Sequence, residues 1–314
     1  MQQTTLGRTG LQVSVAGLGC GGHSRLGQSY GATEAESVAV IHCALDLGIS
    51  LIDTAQVYGT ESIVGKALRG HRDDVVLSTK ALPTHQDRPL KPTRLRRSVE
   101  KSLRRLGTDR IDLFFVHGMQ VRDLHHTREV LVPELLALKD DRLVRHLAAS
   151  EAFASDNGHE SLGQSLDAGD DWYDVLMVGH NPFNPSARDR VFPATEERDI
   201  GVLVMFAVRK SLASSEGVRR VVEGMVQRGD LGAAALDAGD PLAFLLDQSG
   251  AGSYAEAAYR FARHEPGCHV VLTGTGSVDH LAQNVAAING PPLSLEHQKR
   301  LQELFGHIDN VSGD

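Results

Sequence analysis

Four side chains capable of acid–base chemistry occupy comparable places in this chain. Asp53 and Tyr58 lie in L-I-D-T-A-Q-V-Y-G (51–59), Lys80 ends V-V-L-S-T-K, and His117 ends I-D-L-F-F-V-H. Each sits at or just past the exit of a short apolar run. Singly, each reads as a solvated loop residue. Together they can do more. A phenol has an ordinary pKa of about 10, too high for an effective proton donor at neutral pH. A neighbouring ammonium favours the phenolate and lowers that value, and a carboxylate paired with the ammonium holds it in place. A histidine beside them can hydrogen-bond a substrate oxygen. Such a centre protonates an oxygen while something else attacks carbon, and carbonyl reduction by a nicotinamide hydride fits without a metal.

The elements that must position these groups repeat a strand–helix rhythm. Polar residues 1–12, punctuated by Gly7 and Gly10, suggest a leading hairpin. Strands are expected at Val13–Gly19, Ser50–Asp53, Val75–Thr79, Ile111–Val116, Val144–Ala149, Asp174–Val178, Val202–Phe206 and Val270–Thr273. Helices are expected at Glu34–Leu47, Ser62–Leu68, Pro92–Leu106, Arg128–Lys139, His159–Leu166, Ala187–Glu197, Tyr254–His264 and Val278–Ile288, with a final amphipathic helix at Glu296–Phe305. Thr33 with Glu36 makes a capping box, and Gly48 and Gly107 supply stops. Arg209–Gly252 shows no clear period and is read as a large loop over the mouth. A doubly wound sheet would also alternate, yet eight units in roughly 270 residues suit a (β/α)8 barrel better. The expectation is one domain over residues 1–314, with an N-terminal hairpin and a C-terminal helix. In such a barrel the exits of the second, third and fourth strands are neighbours, so Asp53, Lys80 and His117 meet.

Composition narrows the function classes. The chain has 314 residues, 41% hydrophobic and 23% charged, with a net charge of −8, which argues against a generic polyanion binder. The arginines of Arg94–Arg105 alternate with Leu95, Val99, Leu103 and Leu106 and read as a solvated helix face. Cys20, Cys43 and Cys268 show no paired spacing, which fits a reducing compartment. The first residues have no apolar core of signal-peptide length, and no run approaches the roughly 20 apolar residues of a membrane span. A cytoplasmic location is expected.

Three further motifs admit competing readings. Gly17-Leu18-Gly19-Cys20-Gly21-Gly22 matches G-x-G-x-x-G, but a polar loop follows where a dinucleotide fold needs a helix. Those glycines keep a loop thin beside a ligand, or merely turn. His125 and His126 with His117 lack zinc-site spacing, so no metal is expected. Gly274-Thr275-Gly276-Ser277 joins the last barrel strand to its helix, where backbone N–H groups attract phosphate. A tight turn capped by Ser277 is compatible with that role.

With these residues in hand, the chain resembles the aldo-keto reductase family along nearly its whole length. The matching pieces are L-G-R-T-G-L-Q-V-S, D-T-A-Q-V-Y-G-T-E-S, V-V-L-S-T-K, R-I-D-L-F-F-V-H and G-T-G-S-V-D-H-L-A-Q-N. The resemblance implies a (β/α)8 barrel with Tyr58 as general acid, Lys80 and Asp53 as its tuning pair, and His117 orienting substrate. It implies an extended NADP(H), with NAD as the alternative, and a small carbonyl substrate or the matching alcohol. The nicotinamide end would meet Gly19, Cys20, Asp53, Ser150, Glu151, Met177, Met205, Phe206 and Ala207. The adenine end would meet Thr273, Gly274, Thr275, Gly276, His280, Gln283 and Asn284. Departures fall on this cofactor half. Ser150-Glu151 replaces the usual Ser-Asn, Met177 a Gln, and Met205, with Phe206 next to it, the stacking aromatic. Gly274 and His280 stand where basic residues often clamp the 2′-phosphate. The altered clamp raises two alternatives: a nucleotide-sensing regulatory member, and an NAD-dependent aldose dehydrogenase.

Overall fold

The computed structural model describes residues 1–86, 88–236, 239–246 and 250–313. Strands β1 (Gln3–Thr5) and β2 (Gln12–Ser14) pair as an antiparallel hairpin. Leu6, between them, is fully buried and joins the cluster inside the barrel. A Cβ on Gly7 would lie 2.4 Å from the Gly201 nitrogen, so only glycine lets the hairpin seat this close to the start of a barrel strand. The hairpin therefore plugs the end opposite the strand exits.

The chain then alternates. β3 (Ala16–Gly19) leads to α1 (Glu34–Asp46), and β4 (Leu51–Asp53) to α2 (Glu61–Ala67). β5 (Val76–Ala81) passes through a small antiparallel pair, β6 (Thr84–His85) and β7 (Arg88–Pro89), to α3 (Pro92–Leu106). β8 (Ile111–Met119) leads to α4 (Leu124–His126) and α5 (Val132–Asp140), and β9 (Val144–Glu151) to α6 (Glu160–Asp167). β10 (Val175–Gly179) leads to α7 (Ala187–Arg190) and α8 (Phe192–Glu197). β11 (Gly201–Met205) leads to α9 (Ser215–Arg228) and α10 (Tyr254–Arg263). β12 (Val270–Thr273), α11 (Val278–Ile288) and α12 (Leu295–Phe305) complete the order. β3, β4, β5, β8, β9, β10, β11 and β12 form one closed barrel of parallel strands, sealed where β12 pairs β3.

Period-two alternation sorts each strand into two faces. Leu51, Val76, Leu113, Phe115, Ala148, Val175, Leu203 and Val270 fill the interior. Their neighbours Ile52, Leu77, Phe114, Val116, Ala149, Leu176, Val202 and Val271 pack outward against the helices. Asp53, Ser78, Lys80 and His117 continue the inward series and end on the axis at the strand exits. The caps are as expected: Thr33 and Glu36 form a capping box on α1, Pro92 opens α3, and Gly107 ends it in a left-handed conformation.

Four expectations change. The strand expected at Val13–Gly19 is divided between β2 of the hairpin and β3 of the barrel. The helix expected at Arg128–Lys139 is α4, a π-turn at Thr127–Leu131 and then α5, whose first turn holds Pro133. The ring of Pro133 cannot donate to the turn before it, so the helix reopens there. The helix expected at Ala187–Glu197 breaks at Val191 (φ −124°), two residues before Pro193, for the same reason. Arg209–Gly252 is no featureless loop. It carries α9, capped by Ser214 and ended by Gly229, whose Val218, Val222 and Met225 pack on Leu301 and Phe305 of α12 and on Phe183 in a separate core. Residues 237–238 and 247–249 of that segment lie outside the described residues. Among the described residues no helix is long and apolar enough to cross a membrane.

Candidate active site

Lys80 is the centre of the polar cluster. Its side chain is 0% exposed, and its Nζ donates to Asp53 Oδ1 (2.6 Å), Asp53 Oδ2 (2.5 Å) and the Thr54 carbonyl (3.0 Å). Ser78 Oγ donates to Asp53 Oδ1 at 2.5 Å, so the carboxylate is held from two neighbouring positions of β5. The ammonium lies 5.1 Å from the centre of the Tyr58 ring. Tyr58 sits on a 3-10 turn, Gln56–Tyr58, ended by Gly59 at φ 74°. Its Oη is 3.3 Å from His117 Nε2. A Cβ on Gly21 would come within 2.3 Å of the Tyr58 ring, so this glycine is the bed on which the phenol lies. Gly21 thus keeps the loop thin beside a side chain of the same molecule. A bulge lies at His117: between Val116 and Met119 the register with β9 shifts, with Gly118 at φ 62°. The Gly118 N–H donates to Ser150 Oγ at 2.9 Å, which fixes the bulge.

Burial and charge then set the protonation states. For Lys80, burial pulls the pKa down most strongly, but the charges and hydrogen bonds of Asp53 and Tyr58 together outweigh it and the ammonium titrates above its ordinary value. Burial pushes the Tyr58 phenol up, and Lys80 offsets this only in part. The expected lowering of the phenol is therefore not the net result in the protein alone: Tyr58 keeps its proton. Burial first, and then the Lys80 charge, drive His117 down to about 3, so its imidazole is neutral. Its Nδ1 is buried without a hydrogen-bond partner among the described residues.

The positions expected to hold a cofactor are less uniform. Gly19 ends β3 on the axis side, whereas the Cys20 thiol packs outward in the helix-facing core, where burial pushes its pKa up. Ser150 lies on the inward series of β9. Glu151, expected beside the nicotinamide, lies on the outward series of β9. Its carboxylate accepts from the Gly179 N–H (2.7 Å) and faces His159 Nδ1 (2.9 Å), behind the barrel wall. Met177 is buried in the interior cluster and Met205 packs against that cluster from its rim. Phe206, in a left-handed conformation (φ 60°), stacks with Phe153 at 6.0 Å and lies 4.3 Å from the Arg209 guanidinium; Ala207 is buried beside it.

At the other end, Thr273 Oγ1 bonds the Tyr259 hydroxyl (2.8 Å) and Asn284 Nδ2 (2.9 Å). Gly274 is exposed, and a Cβ there would sit 3.0 Å from the Gly19 carbonyl oxygen. The Thr275 hydroxyl turns back to accept from the Ser277 N–H, and a Cβ on Gly276 would meet the Gly27 Cα at 2.4 Å. Ser277 Oγ caps α11 by accepting from the His280 N–H. His280 and Gln283 are exposed, and residues 273–284 include no Lys or Arg. This thin backbone at the head of a helix fits the phosphates of a nucleotide. Among the described residues no group of three or more His, Cys, Asp or Glu is placed to hold a metal, and His126 Nε2 instead bonds the Leu90 carbonyl.

The comparisons decide the family. The model described as "Aldo/keto reductase family" matches residues 18–305. The chain belongs to the aldo/keto reductase family. Over 312 residues it is 27% identical to the "Uncharacterized oxidoreductase YqkF" of Bacillus subtilis (strain 168), covering 96% of each chain. Over 127 residues it is 42% identical to aldo-keto reductase YhdN of the same organism, covering 37% of this chain and 38% of YhdN. Among solved structures it resembles the aldo-keto reductase AKR11C1 from Bacillus halodurans in its apo form. There the TM-score is 0.69 and the identity 26%, over 97% of this chain and 96% of that one. The barrel is thus an aldo/keto reductase barrel, of an oxidoreductase family that uses nicotinamide cofactors.

Two residues that hold the polar cluster of this aldo/keto reductase in place escaped the sequence reading. Ser78 was legible in principle, because it stands two residues before Lys80 and must share its face. Arg25, whose Nε donates to the Tyr58 carbonyl at 2.7 Å, left no signal, since only the folded loop brings it there.

Proposed function

We propose that this aldo/keto reductase reduces an aldehyde or ketone to the alcohol, or catalyses the reverse oxidation, with NADP(H) and with Tyr58 as general acid. The convergence of Tyr58 Oη, His117 Nε2 and the Lys80–Asp53 pair carries the reading. The nicotinamide, when bound, supplies the hydride for the carbonyl carbon. The Tyr58 phenol gives its proton to the carbonyl oxygen as charge builds there. Lys80 steadies the phenolate left behind, while Asp53, Ser78 and the Thr54 carbonyl hold the ammonium in register. Neutral His117 presents Nε2 beside Tyr58 Oη and fixes the oxygen between them without adding charge. Preorganised groups of this kind need no rearrangement during the step. Gly274–Gly276 and the head of α11 hold the phosphates, with His280, Gln283 and Asn284 toward the adenine end.

Stopped-flow mixing with NADPH and with NADH, read by nucleotide fluorescence, tests the cofactor. Micromolar NADPH binding and turnover of an aldehyde panel are expected. If neither nucleotide bound at millimolar concentration, the proposal would fall. Tight binding without turnover of any carbonyl would instead favour the nucleotide-sensing alternative.

A further inference from the structure

Helix α3 carries a row of cations with no part in the chemistry above. Lys91 at its N-cap, then Arg94, Arg97 and Lys101, follow at spacings of three or four on one exposed face. Arg105 continues the row but is committed to buried Glu61, and Arg96, off the row, pairs with Glu134 and Asp141. Arg94 donates to His85 Nε2 at 2.6 Å. Lys91, Arg97 and Lys101 make no ion pair among the described residues. The first turn of α3 contains no acid. Like charges at i,i+4 oppose each other, and cations near a helix N-terminus oppose its dipole. The row therefore works against the helix that carries it, in a chain whose net charge is −8.

This face lines a cleft of about 610 Å³, closed on its other sides by Thr84 and His85 of β6 and by Val57, Ala81 and Leu82. Val57 immediately precedes Tyr58, and Ala81 immediately follows Lys80. The cleft is thus walled by residues next in sequence to the acid and its tuning ammonium, with Ala81 itself on the helix-facing side. Gln56 Nε2 fastens the Tyr58 turn to the same helix, donating to Ser98 Oγ (2.9 Å) and Ser102 Oγ (3.0 Å). Val57 and Leu82 remain 54% and 40% exposed and give the cleft an apolar strip. The loop that suits the cofactor phosphates lies elsewhere on the rim, after β12.

We propose that this cleft binds the anionic end of the substrate: a carbonyl compound carrying a multiply charged group, a phosphate ester or paired carboxylates, held by Lys91, Arg94, Arg97 and Lys101. The inference rests on the reading of Tyr58 as the acid. Guanidinium forks match the oxygens of such groups bidentately, and the two lysines add unshared charge. The carbon skeleton lies along Val57 and Leu82, and the carbonyl reaches toward Tyr58.

Steady-state kinetics with glyceraldehyde and glyceraldehyde 3-phosphate test the discrimination. The wild type is expected to show a KM at least tenfold lower for the phosphate ester, rising with ionic strength. In the Arg97→Gln/Lys101→Gln double variant that ratio is expected to fall to threefold or less. Calorimetric titration with inorganic pyrophosphate supplies a readout without turnover, and its affinity is expected to drop at least tenfold in the double variant. Removing like-charge repulsion predicts a melting temperature no lower than wild type, and Arg97→Gln alone serves should the double variant fold poorly. Turnover of both aldehydes at similar KM, or pyrophosphate binding that the variants leave unchanged, would overturn the cleft assignment while leaving the reaction intact. No turnover of any carbonyl, with pyrophosphate binding lost in the variants, would overturn the reaction and keep the anion site.

Discussion

The exits of β4, β5 and β8 and the exits of β9, β10 and β11 belong to one rim but are built differently. On the first arc the polar atoms face one another: Lys80 bonds Asp53, Ser78 bonds Asp53, and Tyr58 faces His117. On the second arc they face away from the axis, give way to apolar groups, or are taken up by the backbone. Glu151 turns to His159, Met177 fills the interior, and Ser150 serves the bulge beneath His117. One rim can therefore tie the polar groups of one side rigidly to one another while the other side is lined mainly by packed side chains. The first arc is over-determined by mutual contacts, whereas the second is constrained mainly by packing.

The largest test of this contrast is Tyr58→Phe. Losing a positioned general acid costs about 10²–10⁴-fold in rate, so kcat should fall by that factor while the NADPH Kd, measured by fluorescence titration, stays within threefold of wild type. A variant retaining a tenth of the activity would place the proton elsewhere. Next is Lys80→Met, which strands buried Asp53. Breaking a buried pair costs about 3–5 kcal/mol, so denaturant melts should show a loss of that order together with lost turnover. An unchanged midpoint would mean that Asp53 is not relying on the pair. Glu151→Ala probes the second arc. It leaves the Gly179 N–H and His159 unpartnered, at a cost of about 1–3 kcal/mol, yet should change the nucleotide Kd less than threefold. A tenfold weaker Kd would return Glu151 to the cofactor side and dissolve the contrast.

The smallest effect per step is in pH. An unfolded histidine takes its proton near 6.5, while folded His117 does not until about 3. Between those values the unfolded state binds more protons, so stability falls as pH falls, by up to about 1.4 kcal/mol per unit. Denaturation series at pH 7, 5.5 and 4 should show a shallower loss for His117→Asn than for wild type. Parallel curves would remove His117 from the account.

What was legible follows the same division. Asp53, Tyr58, Lys80 and His117 could be placed because strand alternation and barrel convergence depend on local pattern alone. The outward turn of Glu151 was legible from the same alternation, since it directly follows inward Ser150; its partner His159, beyond the strand, was not. The bulge at Gly118 and the helix breaks before Pro133 and Pro193 needed backbone geometry; each left only a glycine or proline as a hint. α9 was the avoidable omission, since Ser214, Gly229 and the i, i+4, i+7 spacing of Val218, Val222 and Met225 were all in view. Its glycine- and alanine-rich continuation hid it.

Gly21 carries a consequence for anyone who needs a silent version of this barrel. A single methyl there would collide with the Tyr58 ring, which lies 2.3–2.6 Å from where that carbon would sit. Gly21→Ala would thus dislodge the Tyr58 phenol while leaving every charged and hydrogen-bonding group in the sequence. It is a steric gauge with a clearance of one hydrogen atom, set against the Tyr58 ring without replacing any titratable side chain.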